Sequence, residues 1–233
     1  MQVVSCYLGK LQLTENKRLK PVERMFHTGM EALDELAGGF PRRSVHELLG
    51  EDGYKPGFAA GILAKAALHA AGGWLVWLDG DRRLYPPGLA GLGIDLSRLI
   101  LLRPDKPGEQ VWAVAECLRC KGVAAVVAAL DRLSRIEARR LQLAAEAGGS
   151  TGILLRPAGR ISREYAAARR WLVRPLPGQR TMQRWNLQLI HGHGGRVGQS
   201  VILEANRETG HVRAYAPVAD RQAEQGPAMR IGA

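Results

Sequence analysis

The sequence contains little cysteine and no unbroken apolar run long enough to cross a membrane. Only three of its 233 residues are cysteine, too few for the disulfide framework of a secreted domain, so we expect a reducing compartment. The first 18 residues lack the apolar core and cleavage site of a signal peptide. The apolar stretch 58–78 is interrupted by Lys65, His69 and the pair Gly72-Gly73, and therefore predicts a helix, a turn and a strand rather than a membrane span. We expect a soluble, cytoplasmic protein without a membrane partner.

The sequence also lacks the patterns of common catalytic and metal sites. It shows no Ser-His-Asp set, no clustered pair of carboxylates and no array of metal ligands. Cys117 and Cys120 form a single CxxC pair, whereas a structural zinc site needs four ligands. Two buried thiols on an apolar helix face explain this pair better. The His-Gly-His-Gly-Gly stretch at 191–195 predicts a tight or bulged turn before it predicts a ligand loop. We therefore expect neither a metal nor a cofactor.

Acidic residues are scarce in the C-terminal half. The whole chain has 33 lysines and arginines against 22 acidic residues, a net charge of +11. Residues 1–130 contribute +2, from 16 basic and 14 acidic side chains, and residues 131–233 contribute +9, from 17 basic and 8 acidic ones. Every basic residue after Lys121 is arginine, which forms bidentate contacts with phosphates and carboxylates. The asymmetry favours a binding surface, with a solvated, solubilising surface as the alternative.

Hydrophobic periodicity predicts an α/β domain. The segment 74–79 (WLVWLD) is apolar on both faces, as in a central strand of a parallel sheet that is covered by helices on each side. From residue 169, short runs separated by turn residues predict an antiparallel meander. The predicted helices span 29–37, 58–71, 108–121 and 133–147, and the predicted strands span 44–49, 74–79, 99–102, 123–128, 151–155, 169–175, 182–190, 199–206 and 211–215.

Local signals predict the helix ends and the domain limits. Thr28 is predicted to cap the first helix, which Gly38-Gly39 ends, and Asp131 is predicted to cap the fourth. We expect an N-terminal arm over residues 1–25, one domain over 26–216 and a mobile tail over 217–233. For the fourth helix, arginines are predicted on a solvent face and apolar residues on the core face. The core-facing residues are Leu133, Ile136, Leu141 and Ala144, and the solvent-facing ones are Arg132, Arg135, Arg139 and Arg140.

The segment 26–50, FHTGMEALDELAGGFPRRSVHELLG, resembles the start of a RecA-type ATPase core, where TG, LD, GG and E..G precede the phosphate loop. The likeness extends to about residue 155. It implies a RecA-like domain with a mostly parallel central sheet, flanking helices and C-terminal antiparallel strands. Within this superfamily the chain is similar to the ImuA family of damage-induced mutagenesis. The segments that show this narrower likeness are RRLQLAAEAGGSTGILLRP, AAARRWLVRPLPG and WNLQLIHGHGGRVGQSVILE.

The phosphate loop expected from this resemblance is incomplete. A G-x-x-x-x-G-K-[ST] loop binds phosphates with its backbone N–H groups and its lysine, and binds magnesium through its hydroxyl. In GEDGYKPGF, which starts at Gly50, the second glycine, the lysine and the hydroxyl residue are replaced by Lys55, Pro56 and Gly57. A one-residue slip would return Lys55 to the loop but would supply no hydroxyl. We therefore predict a degenerate pseudo-ATPase that is not an enzyme.

The resemblance also implies a function and a set of partners. Asp81 matches the family's water-polarising glutamate, and we interpret it as a relic. The chain is then a non-catalytic adaptor in error-prone translesion synthesis, beside an error-prone polymerase and a Y-family-like polymerase homologue. RecA and DNA are further candidate partners. Two alternatives stay open: an SOS-type cell-division inhibitor that binds the division protein, and an ATPase that binds ATP through Lys55.

Arginines of the C-terminal half are the predicted contacts with DNA or an acidic partner. Several of them overlap the region where RecA-like recombinases place their single-stranded DNA loops, which are shortened here to about residues 158–165. The predicted contact residues are Arg156, Arg160, Arg163, Arg169, Arg170, Arg174, Arg180 and Arg184.

Overall fold

A computed structural model describes residues 2–4, 24–104, 106–160 and 167–215 of the chain. The strands in these ranges are β1 (Gln2–Val4), β2 (Met25–Phe26), β3 (Phe40–Pro41), β4 (Val45–Gly50), β5 (Trp74–Leu78), β6 (Leu99–Leu102), β7 (Val123–Ala129), β8 (Thr151–Pro157), β9 (Arg169–Leu176), β10 (Met182–Gly192), β11 (Ser200–Asn206) and β12 (Val212–Tyr215). The α-helices are α1 (Glu31–Ala37), α2 (Gly57–Ala71), α3 (Pro86–Gly91), α4 (Gln110–Arg119) and α5 (Arg135–Gly148).

Ten of these strands form one mixed sheet in the order β1-β6-β5-β7-β8-β4-β9-β10-β11-β12. Neighbours from β1 to β9 are parallel, whereas β9 to β12 form an antiparallel meander. Strands β2 and β3 pair separately. The RecA-like α/β fold class predicted from the sequence is thereby confirmed.

The sheet is covered by helices on both faces in its parallel half. Residues of α1 and α2 share one apolar cluster with the inner face of the meander. Residues of α4 and α5 form a second cluster on the opposite face. Strand β4 lies between β8 and β9, and all six of its residues are buried. Its carboxyl end at Gly50 leads directly into the loop before α2.

Three predicted details of the helix ends and faces are wrong. Helix α1 has Met30 at its N-cap, and Thr28 instead donates its backbone N–H and its hydroxyl to Asp34 Oδ1 at 2.8 and 2.9 Å. Ser134 caps α5 in a capping box with Glu137, so Asp131 does not cap this helix. Ile136 is 82% exposed rather than buried. The predicted end of α1 is confirmed, because Gly38 adopts the left-handed conformation at φ 66°.

The predictions for the two chain ends fall mostly on residues that are not described. Within the predicted arm 1–25, the described residues include β1, which pairs in parallel with β6. The predicted tail 217–233 lies outside the described residues. Among the helices of the described residues, none combines the length and apolar character needed to cross a bilayer.

Candidate functional site

The loop between β4 and α2 folds back tightly on the end of β4. The backbone N–H of Tyr54 donates to Glu51 O at 2.8 Å. A Cβ atom on Gly50 would lie 1.8 Å from Tyr54 O, so only glycine fits at this point of the strand. Helix α2 then begins at Gly57 with Pro56 at its N-cap and no side-chain cap. Pro56 has no N–H group, so this position supplies no donor to a phosphate.

Lys55 and Asp81, both singled out in the sequence, contact each other across this edge of the sheet. Lys55 Nζ donates to Asp81 Oδ2 at 2.8 Å, and the side chains are 43% and 55% exposed. The hydrogen bond from Lys55 holds the pKa of Asp81 below its usual value, and the positive charge of Lys55 adds to this effect. The ammonium group is therefore ion-paired within the chain.

A second ion pair ties the same loop to the neighbouring strand. Arg174 on β9 donates from Nε and Nη2 to the two carboxylate oxygens of Glu51, at 2.8 and 2.9 Å. This bidentate contact lowers the pKa of Glu51 and raises that of Arg174. A carboxylate thus stands in the loop where a phosphate-binding loop presents backbone donors.

Two of the predicted contact arginines instead bind a carboxylate in the interior. Arg156 Nη1 donates to Glu47 Oε1 at 3.0 Å, and Arg170 Nε donates to Glu47 Oε2 at 2.7 Å. All three residues are buried. Because β4 lies between β8 and β9, the cluster connects three adjacent strands at the middle of the sheet.

Arg169 also points inward, on the other face of β9. Its guanidinium group donates to Ala37 O at 3.1 Å and to Gly39 O at 3.2 Å, which satisfies carbonyl groups at the end of α1. Desolvation by burial lowers the pKa of Arg169. This corrects the sequence prediction: Arg156, Arg169 and Arg170 are buried and are not available as surface contacts with DNA or a partner.

The other predicted contact arginines differ in accessibility. Arg180 is exposed, and Arg174 and Arg184 are partly exposed. Arg184 Nε donates to Glu204 Oε2 at 2.5 Å, and Arg213 on β12 donates to the other oxygen of this carboxylate at 2.7 Å. The side chain of Arg160 and all of Arg163 lie outside the described residues. The structure therefore does not gather the predicted arginines into one surface.

Four buried histidine or acidic residues with defined contacts were not singled out as site residues in the sequence: His46, Glu47, Asp79 and Glu204. Asp79 accepts the backbone N–H groups of Arg83 and Leu84 at 2.8 and 3.0 Å, and so shapes the turn that presents Asp81. The signal that could have identified these residues is a charged or histidine side chain within an apolar strand.

The CxxC pair has no metal-site geometry in the described part of the chain. Cys117 is buried and Cys120 is half-buried, and the Cys120 thiol donates to Glu116 O at 3.3 Å. No group of three or more His, Cys, Asp or Glu residues that could hold a metal ion occurs among the described residues.

Comparison with known proteins places the chain among RecA relatives. No protein-family profile matches it. It is 33% identical to the ImuA protein of Caulobacter vibrioides (strain NA1000) over 195 residues, which cover 75% of this chain and 79% of that protein. It is 30% identical to the RecA protein of Frankia alni over 153 residues, or 64% of this chain and 43% of that protein. It is also 30% identical to the cell division inhibitor SulA of Edwardsiella piscicida over 84 residues, or 36% of this chain and 50% of that protein. The chain therefore belongs to the ImuA family.

Proposed function

We propose that this protein is a non-catalytic RecA-like adaptor that acts in the cytoplasm during the DNA-damage response and supports error-prone translesion synthesis. Its membership of the ImuA family and its likeness to RecA support this setting. In this function an error-prone polymerase and a Y-family-like polymerase homologue are its partners, and RecA is a further candidate.

The absence of a hydroxyl at Pro56 and Gly57, together with the ion pair between Lys55 and Asp81, is the observation that supports a non-catalytic role most strongly. In a working phosphate loop the lysine binds the β- and γ-phosphates, and a hydroxyl on the next residue binds magnesium. Here the lysine binds an acidic side chain at 2.8 Å, and neither Pro56 nor Gly57 offers a hydroxyl. Phosphoryl transfer depends on positioned charge and metal, so losing these elements together removes the reaction.

We expect no binding of ATP and magnesium to the full chain in isothermal titration calorimetry at concentrations of about 1 mM, well above the micromolar range of functional nucleotide sites. An intact RecA protein serves as the positive control. Asp81→Ala, which releases Lys55, serves as the matched variant and is also expected to show no binding, because the magnesium ligand is still missing. Micromolar binding to the unmodified chain would favour the alternative of a divergent ATPase that uses Lys55.

The similarity to SulA supports a second candidate function, inhibition of cell division, but only weakly. It covers 36% of this chain, against 75% for the ImuA protein. Co-purification from DNA-damaged cells separates the two, because an adaptor retains the polymerases and an inhibitor retains the division protein.

For DNA contact we propose exposed arginines in place of the buried ones. Arg180→Glu combined with Arg196→Glu is expected to lower the slope of log K against log salt by about two, one unit for each lost phosphate contact. Fluorescence anisotropy with a labelled oligonucleotide measures this slope. The pair Arg139→Glu and Arg140→Glu changes the net charge equally and is the control. An equal effect of both pairs would indicate that only net charge matters.

A further inference from the structure

The outer face of α5 combines large apolar side chains with arginines. Ile136 is 82% exposed and Leu143 is 47% exposed, and Arg139 and Arg140 lie between them and are also exposed. Residues spaced by three, four and seven positions lie on one side of a helix. We refer to Ile136, Arg139, Arg140 and Leu143 as the α5 outer face.

The opposite side of the same helix already forms the contact with the sheet. Ala138, Leu141, Ala144 and Ala145 are buried there, and the last three belong to the cluster shared with β7, β8 and α4. The α5 outer face is therefore not needed for the fold. Leaving Ile136 mostly and Leu143 partly in water also forgoes the favourable free energy of burying their apolar surface.

A neighbouring helix adds a third exposed apolar side chain. Helix α4 packs beside α5 on the same face of the sheet, and a Cβ atom on Gly148 would touch Leu118 O at 1.9 Å. Trp112 of α4 is 40% exposed. Tryptophan and arginine are among the residue types enriched in protein–protein contacts.

The charges of the α5 outer face have no carboxylate partners within the helix. Glu137 accepts hydrogen bonds from Ser134 in the capping box, and Glu146 accepts one from Gln142 near the other end. Within the described residues, neither Arg139 nor Arg140 forms an ion pair or hydrogen bond. Their positive charges are therefore available to a negatively charged partner.

A protein fits this combination better than DNA does. Phosphate contacts are made by charge and polar groups, and they gain nothing from an exposed isoleucine and leucine on the same helix face. A protein segment with large apolar side chains buries those two residues, and its carboxylates pair with the two arginines.

We propose that the α5 outer face is a docking site for an acidic protein segment with large apolar side chains. This inference rests on the adaptor function proposed above and assigns the surface through which the adaptor holds a partner. The buried half of α5 stays packed on the sheet, so docking requires no rearrangement of the core.

Photo-cross-linking in DNA-damaged cells tests the proposal in the full chain. Ile136→p-benzoylphenylalanine places the cross-linker on the α5 outer face, and Val197→p-benzoylphenylalanine places it at an exposed residue of the β10–β11 turn as a control. We expect adducts at position 136 whose cross-linked peptides contain more acidic than basic residues together with large apolar ones. Adding Arg139→Glu and Arg140→Glu should lower their yield about tenfold. Arg24→Glu with Arg207→Glu, at two exposed arginines that neither proposal uses, should leave it unchanged.

Several outcomes would overturn the docking site. These are adducts with DNA, with this chain alone or with basic peptides, no adduct at position 136, the same adducts at position 197, or an equal loss from both charge reversals. Two other results would contradict the proposed function itself: nucleotide binding in calorimetry, and co-purification that recovers no polymerase. A lost adduct with polymerases still co-purifying would show that the partner docks elsewhere.

Discussion

Replacing Glu47 by glutamine is expected to lower the free energy of unfolding by about 3 to 5 kcal/mol. The carboxylate accepts hydrogen bonds from Arg156 and Arg170 at 3.0 and 2.7 Å, and all three side chains are buried. Glutamine has nearly the same shape but no charge, so two buried guanidinium groups lose the negative charge between them. Removing one partner of a buried ion cluster costs far more than the intact cluster contributes, because the remaining charges stay desolvated.

Asp81→Asn is the matched control for Glu47→Gln, because it also replaces a carboxylate by an amide in an ion pair. The Lys55–Asp81 pair is about half exposed, so its loss should change stability by less than about 1 kcal/mol. Urea denaturation followed by tryptophan fluorescence measures both variants. Similar small losses for the two would contradict the assignment of Glu47 as the centre of a buried charge cluster. If Glu47→Gln yields no folded protein while Asp81→Asn does, the direction of the prediction stands.

The Glu47 cluster also explains why charge in this sequence misleads about function. The excess of arginine in the C-terminal half suggests a binding surface, yet Arg156, Arg169 and Arg170 are buried. Charge reversal at these positions would unfold the domain and thereby abolish any binding. Tests of DNA contact therefore need arginines that the structure exposes, such as Arg180 and Arg196.

The elements that the sequence predicts best are those with a strong local signal. The run WLVWLD is apolar on both faces and is observed as β5, an interior strand of the sheet, because a strand with two apolar faces must be covered on both sides. The antiparallel meander is likewise found, since turn residues separate its strands. In both cases neighbouring residues alone determine the structure.

The faces of elements and their distant contacts could not be predicted in the same way. The partner of Arg156 is 109 residues away in the chain, and that of Arg170 is 123 residues away. No local pattern reports which side of β8 or β9 faces the interior. The capping box at Ser134 and Glu137 is different, because its S-x-x-E spacing is visible in the sequence. This spacing alone predicts that α5 begins directly after Ser134.

The composition of the loop between β4 and α2 could be predicted from the sequence, but its geometry could not. Lys55, Pro56 and Gly57 stand where the resemblance to RecA-type ATPases predicts the last three residues of a phosphate loop. The contact of Lys55 with Asp81 joins two loops 26 residues apart, and the close approach of Tyr54 O to Gly50 depends on the fold of the whole loop. The structure thus adds that the lysine already forms an ion pair within the chain.

Lowering the pH from 7 to 4 is expected to destabilise the protein through His46. This histidine is fully buried on β4 and packs edge-on against Phe26 and Phe40. Its Nε2 lies 2.9 Å from Pro41 O, which can only accept, so Nε2 holds the proton of the neutral ring. Among the described residues Nδ1 has no hydrogen-bond partner. A second proton would therefore enter an apolar site without an acceptor.

The pKa of His46 is lowered from 6.5 to about 4, mainly by burial; the hydrogen bond to Pro41 opposes this shift and the nearby charge of Arg169 adds to it. The unfolded chain takes up the proton below pH 6.5 while the folded chain stays neutral, so the stability is present above that pH and is lost as the pH falls towards 4. The expected loss is about 2 kcal/mol by pH 5 and about 3 kcal/mol by pH 4.

His46→Gln isolates this contribution, because an amide can still donate to Pro41 O but does not titrate. Urea denaturation of both proteins at several pH values gives two curves of unfolding free energy against pH. The two proteins have the same carboxylates, so the contribution of carboxylate titration cancels in the difference between the curves. Relative to His46→Gln, the free energy of unfolding of the unmodified chain should fall as the pH is lowered from 6.5 to 4. Parallel curves across this range would mean that His46 titrates alike in the folded and unfolded chains, and that the apolar pocket around it does not exclude the proton.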